Sequence, residues 1–93
     1  MNGRKDDAEK PDWSLVPVGV MRLVVEVLTH GARKYSRNNW MLVLDPRDRY
    51  YAACQRHLDA WRSGELTDEE SGLPHLAHAT CCLMFLLWFD EVQ

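Results

Sequence analysis

The run from Leu73 to Phe89 (LPHLAHATCCLMFLLWF) does most to decide the architecture of this 93-residue chain. Placed on a helix it has two apolar faces, one of Leu76, Ala79, Leu83, Leu86 and Leu87, the other of His75, His78, Cys82, Phe85 and Phe89. A helix apolar nearly all round has to be covered on most of its sides. So short a chain offers only two further helices to do it. The expected fold is therefore all-α, a small bundle of three main helices with short turns, completed by oligomerisation with this helix at a homodimer or higher interface. A membrane span is the other setting for such a run. Its 17 residues include Pro74, His75, His78 and Thr80, too short and too polar for a span of roughly 20 apolar residues.

Two more helices are legible upstream. From Pro17 to Tyr35, the residues Met21, Val24, Val25, Leu28, Ala32 and Tyr35 recur at helical spacing, with Arg22, Glu26 and Arg33 opposite. The valines there suit a buried strand as well, and Gly31 suggests an early end or kink. In the second helix Asp45 is placed to cap, Pro46 suits the first position and Gly64 ends it, leaving an inward stripe of Tyr50, Ala53, Cys54, His57 and Trp61. Between these helices Asn38 and Asn39 mark a turn, and Met41 to Leu44 read as a short extended piece. After Gly64, Thr67 and Glu70 fit a capping box for one helical turn, which Gly72 and Pro74 interrupt before the third helix runs towards Glu91. The first ten residues are a polar arm of three cations and three anions with no apolar region. We expect residues 1–10 to be loose and 11–93 to form a single helical domain, without a secretory leader.

Charge and cysteine content narrow the function. Eleven Lys and Arg against fourteen Asp and Glu give a net charge of -3. No general basic field exists to hold a nucleic acid polymer. Cys54, Cys81 and Cys82 suit neither a disulfide framework nor a cysteine zinc site, which fits the reducing cytoplasm. The five glycines are scattered, so P-loop and Rossmann sites are excluded. No motif surrounds any serine, and the cysteines lie in apolar stripes, so a Ser or Cys nucleophile lacks support.

Two constellations remain. A link of about ten residues favours an antiparallel pairing of the second and third helices. His57 precedes the link by about as much as His78 follows it, and His75 and His78 lie on one helical face, so the three imidazoles can meet across the hairpin. Glu65, Asp68, Glu69 and Glu70 occupy the same end. Imidazoles and carboxylates together can hold a divalent cation, although an acidic link is also the ordinary composition of a helix start. The second constellation is HGARKYSRNNW, where Arg33, Lys34 and Arg37 stand beside Tyr35 and Trp40. Cations there can clamp phosphate oxygens and an aromatic ring can stack on a base. The alternative is a solvated basic helix end.

The order of motifs adds a resemblance. KPDWSLVP, VLTHGARKYSRNNW, RYYAACQRHLDAWRSGE and DEESGLPHLAHATCCLMFLL follow one another from Lys10 to about Phe89. The series resembles the phage-associated dATP/dGTP diphosphohydrolases, small MazG-like proteins with the pattern K-P, L-x-P, G-A-x-K-Y-x-x-N-W, R-H-L-x-A, G-E and D-x-E-S-G-L-x-H-x-x-H-A. The resemblance implies an all-α enzyme that cuts a deoxypurine nucleoside triphosphate between its α and β phosphates and needs a divalent metal, Mg2+ or Mn2+. Motif positions carried over are Lys10, Gly31, Ala32, Lys34, Tyr35, Asn39, Trp40, Arg56, His57, Glu65, Asp68, Glu70, Ser71, Gly72, His75 and His78. With the constellations above, they lead us to expect metal near Glu65, Asp68, Glu70, His75 and His78. Substrate is expected near Arg33, Lys34, Tyr35, Arg37, Asn39, Trp40 and Arg56, and catalysis at His57, Glu65 and His78.

The sequence also departs from the wider MazG-like pattern. Neither the E-x-x-E nor the E-x-x-D pattern is present in the second or third helix, and Glu26 is the sole acid of the first. A second expectation follows, a noncatalytic phage-type accessory module that occupies a host protein by way of an exposed surface that includes Trp13, Trp40, Trp61 and Trp88, a residue type favoured at interface hot spots. A third is nucleotide sensing without turnover.

Overall fold

In the computed structural model, which describes residues 2–93, three helices carry the architecture: α1 at Val18–Lys34, α2 at Pro46–Arg62 and α3 at His75–Leu87. Single 3-10 turns lie at Trp13–Leu15 and Asn39–Leu42, and α3 continues into a π-helical turn at Trp88–Val92. Among the described residues the only β-type pairing is an isolated bridge between Thr67 and Pro74. The fold is all-α. No helix of the described residues is long and apolar enough to cross a membrane.

The ends of α2 follow from Pro46 and Gly64. Pro46 stands in the first turn, where its fixed φ fits and its missing N–H is no loss. Asp45 does not cap through its side chain as expected; it adopts left-handed backbone at φ 51°, and its carbonyl accepts from the Arg49 N–H at 3.1 Å. At the other end Gly64 takes φ 106°, and the N–H groups of Gly64 and Glu65 donate to Trp61 and Ala60 at 3.0 Å. A side chain at such a positive φ would be strained, so glycine allows this closure.

Gly31 neither ends nor kinks α1. The helix runs one further turn, and the Tyr35 N–H donates to the Gly31 carbonyl at 3.0 Å. Its buried positions are Val24 and Val27, with Leu28 partly buried. Met21, Val25 and Tyr35 of the expected stripe are exposed at 39, 52 and 63 %. The helix is thus turned from the predicted face, because it seats a narrow line of valines against α3. Met41–Leu44 is likewise not an extended piece, since Asn39–Leu42 forms a 3-10 turn. Asn38 reverses the chain at φ 63°, and Tyr50 donates from its hydroxyl to the Trp40 carbonyl at 3.0 Å, fastening that turn to α2.

The position of α3 between the other helices explains its composition. Ala77 and Cys81 pack with Val24 and Val27, while Ala79 and Cys82 pack with Cys54. Small side chains at these contacts let the helix axes approach closely. Cys81 donates its thiol to the Val24 carbonyl at 3.6 Å and Cys54 to that of Ala79 at 3.8 Å. Burial pushes Cys81 up to about 12 and Cys82 to about 11, and burial raises Cys54 too. All three are free buried thiols, packed in the core. The expected leucine face of α3 is divided: Ala79 is buried, whereas Leu76, Leu83 and Leu87 are exposed at 42, 56 and 62 %.

Candidate active site

The site begins in the link between α2 and α3. Asp68, not Thr67, caps the turn there, its Oδ2 accepting from the Ser71 N–H at 2.9 Å. The Gly72 N–H donates to the Asp68 carbonyl at 2.8 Å, and Gly72 at φ 71° turns the chain back before a helix can propagate. The Asp68 N–H to Leu73 and His75 N–H to Leu66 bonds, both 2.9 Å, then zip the two arms together. Pro74 starts α3 beside this loop, so that α3 returns antiparallel along α2, with His75 beside His57 and Ala79 beside Cys54.

The three histidines meet. Nδ1 of His57 and Nδ1 of His75 stand 2.9 Å apart, and the rings of His57 and His78 stack at 4.6 Å with a 9° interplanar angle. Nε2 of His78 is hydrogen-bonded to the Ser71 hydroxyl at 2.7 Å, which in turn accepts from the Leu73 N–H at 3.1 Å. Burial holds His57 below its ordinary value, with His78 and His75 adding to the effect. His78 is lowered by burial and by His30 and His75, against opposition from Asp68 and Glu70. Their lone pairs are therefore available near neutral pH, as bases or as ligands. Burial alone would raise Asp68, but hydrogen bonding from Ser71 and the nearby His78 and His57 outweigh it, and its carboxyl lies below the usual range.

One ring nitrogen each of His57 and His75 and one carboxylate oxygen of Asp68 fall within 4.8 Å of one another. Two imidazoles and a carboxylate are a donor set that fits a divalent cation. The other residues expected at a metal are engaged differently. Glu65 Oε2 lies 3.4 Å from Nε2 of His75, on the far side of that ring from His57. Glu70 is ion-paired with Lys34, and His78 is bonded to Ser71.

A cleft of about 830 Å³ opens beside the histidines, between the end of α1, the 35–43 segment and α2. That size suits a nucleotide. Lys34, Tyr35, Arg37, Asn39, Trp40 and Arg56 all line it, together with His57, Asp68, Glu70 and His78. Arg33 does not, since it projects from α1 about 100° round from Lys34. Trp40 borders the cleft, but its ring is stacked on Phe85 at 4.5 Å and touches Trp88 and Phe89 edge-on. The exposed aromatic is Tyr35, with Lys34 Nζ 5.2 Å from its ring centre.

Sequence reasoning missed two residues here, Arg49 and His30, which line the cleft. Ser71, a motif position set aside as a nucleophile, instead holds His78. Arg49 could have been found from Arg56, since positions seven apart share a helix face.

Comparison with known proteins gives two matches. The family described as dATP/dGTP diphosphohydrolase, N-terminal, matches residues 1–93. A dATP/dGTP diphosphohydrolase of Salmonella phage PMBT28 is 36 % identical over 88 residues, which are 95 % of this chain and 30 % of the phage protein. The chain thus spans less than a third of that relative's length. No solved structure matches.

Proposed function

The chain belongs to the family of dATP/dGTP diphosphohydrolase N-terminal regions, and on that premise we propose that it carries the nucleotide site of a metal-dependent hydrolase. The reaction is attack of water on the α phosphorus of dATP or dGTP. The bond from that phosphorus to the α,β-bridging oxygen breaks, giving deoxynucleoside monophosphate and pyrophosphate. The observation that carries the proposal is the cleft itself, in which Lys34, Arg37, Arg49 and Arg56 face a space bordered by His57, Asp68 and His78. The four cations are suited to the triphosphate, Arg37, Arg49 and Arg56 as forked donors to phosphate oxygens. Tyr35 offers its ring to the base and Asn39 its amide.

Of the histidines, His78 is the proposed general base for water, because it is neutral near pH 7 and Ser71 fixes its ring. His57, His75 and Asp68 lie where a divalent cation would sit, for which the family resemblance implies Mg2+ or Mn2+. Bound there, such an ion supplies neutralisation of phosphate charge and a lowered pKa for coordinated water. Lys34 and Glu70, paired without substrate, separate when phosphate takes the lysine.

Two further elements belong to the proposal. The chain works as a homo-oligomer, supported by Val18, Val25, Leu83 and Leu87, exposed at 66, 52, 56 and 62 %, a concentration of apolar surface unusual for a monomer. It acts in the cytoplasm, host cytoplasm if phage-encoded, where nucleoside triphosphates are found. A second reading, a noncatalytic module that occupies a host protein, is favoured by one observation, Trp13 at 83 % exposure. Incubation with each of the four deoxynucleoside triphosphates and Mn2+, followed by a pyrophosphate assay, tests the first reading. Turnover of dATP and dGTP that is lost in His78→Ala supports it; survival of both nucleotides together with stoichiometric capture of a host protein favours the second.

A further inference from the structure

We infer that His57, Asp68 and His75 make one binding site for an imidazole-preferring divalent transition ion, with Glu65 holding His75 from behind. This deepens the hydrolase reading by naming the ligands and class of its ion, and it relies on that reading only for the ion's purpose.

Geometry supplies the first argument. Two imidazole nitrogens bound to one ion at 2.0–2.1 Å stand about 3.3 Å apart in tetrahedral coordination. The His57 and His75 Nδ1 atoms are already at 2.9 Å. A small rotation of either ring admits an ion between them, and the single proton of that contact passes to Nε2 of its own ring. Both Nδ1 lone pairs then point at the ion, and the proton count is unchanged. Asp68 is fixed by the Ser71 N–H on its Oδ2, which leaves its other oxygen free.

The second argument is His75 itself. It is 6 % exposed, the only buried polar or charged side chain among the described residues, and its Nε2 is without a hydrogen-bond partner. An orphaned ring nitrogen in the core is costly. The carboxylate of Glu65, 3.4 Å away, faces it. In histidine metal sites the outer ring N–H is characteristically given to a carboxylate, which fixes the tautomer and aims the inner nitrogen at the metal. Glu65, near Nε2 without bonding it, stands where it would complete that arrangement once an ion fixes the ring, which gives the burial of His75 a purpose.

The donor set then selects the ion. Mg2+ takes six oxygens in near-ideal octahedral geometry, and one carboxylate with two imidazoles is a poor substitute. Zinc and cobalt accept such a set readily, manganese less so. Glu70 and His78 are left to Lys34 and Ser71.

The chelator-stripped protein should bind one Zn2+ or Co2+ per chain by calorimetry, at least about a hundredfold tighter than Mg2+, with the cobalt form showing d–d absorption of low-symmetry coordination. His75→Gln and His57→Gln should abolish this binding and Asp68→Asn weaken it strongly. Glu65→Gln should weaken it about 10- to 100-fold, while Glu70→Gln and Glu69→Gln leave it intact. Because His75 is buried, circular dichroism of each variant is recorded, and the more exposed His57 and Asp68 variants decide the matter if His75→Gln unfolds. Equal affinity for Mg2+ and Zn2+, loss of binding in Glu70→Gln, or unaltered cobalt spectra in His57→Gln would overturn the inference. Tight zinc binding without nucleotide hydrolysis would sink the hydrolase and keep the site. Hydrolysis with Mg2+ that is indifferent to His57→Gln would do the reverse.

Discussion

Ser71 and His78 are joined across the Gly72 turn by a 2.7 Å hydrogen bond between Oγ and Nε2. The Leu73 N–H holds the same hydroxyl at 3.1 Å, so the backbone of the link sets the angle of the His78 ring. In the proposed reaction Ser71 is a positioning residue for His78. Ser71→Ala should lower kcat about 10- to 100-fold with little change in KM, and should move the acidic limb of the pH–rate profile. Ser71→Thr, which keeps the hydroxyl, should recover most of the rate. A rise in KM alone would contradict the assignment.

The lysine and arginines of the cleft wall should divide by position. Arg56→Ala and Arg49→Ala each remove a charged donor worth about 1.5–3 kcal/mol, so KM for the triphosphate should rise about 10- to 100-fold. Arg33→Ala, off the cleft, should leave steady-state kinetics unchanged. Equal effects from Arg33 and Arg56 would show that a diffuse field binds the nucleotide.

Acid should weaken the metal-free fold. His57 and His78 both lie below their ordinary value of 6.5 in the folded chain, chiefly through burial. The groups facing them are His75, His30, Arg56, Asp68 and Glu70, and the two acids oppose the shift. Between the lowered folded values and 6.5 the unfolded chain binds more protons, so stability rises with pH in that window. It is full above about 6.5 and lost as the pH falls below it. Asp68, also lowered, adds a loss at lower pH still. Urea midpoints in chelator from pH 8 to 5 should fall, and the fall should be shallower in His57→Gln.

Core and surface positions on α1 and α3 should behave differently. Val24 is 1 % exposed, and Val24→Ala should cost about 2 kcal/mol in a urea melt. Leu83 is 56 % exposed, and Leu83→Ala should change the stability of a single chain by less than about 0.5 kcal/mol. If the exposed leucines meet a second copy, Leu83→Glu should shift the protein to monomers in light scattering. An unchanged mass would remove α3 from any interface.

Much of this fold is written in residues whose effect is local. Pro46 and Gly64 bound α2 as read, and the link length with the His75/His78 spacing brings three imidazoles together. What the sequence left open is set by long-range packing. Val24 and Met21 are equally apolar on a helical wheel, and only the position of α3 decides which is buried. Trp40 reads as a stacking platform until Phe85, 45 positions away, takes its face. Asp68 displaces Thr67 as the cap because Gly72 reverses the chain, a backbone effect invisible to a spacing rule. His75 and His78 were legible as a pair, but their division, one towards His57 and Glu65 and the other towards Ser71, needed three dimensions.

Cleavage between the α and β phosphates, in the cleft beside His57 and His78, can be followed by phosphorus NMR of dGTP turned over with a divalent ion. The expected products are dGMP and pyrophosphate, in equal amounts and at a rate that collapses in His78→Ala. Release of inorganic phosphate with dGDP, of tripolyphosphate with deoxyguanosine, or of nothing at all would contradict it.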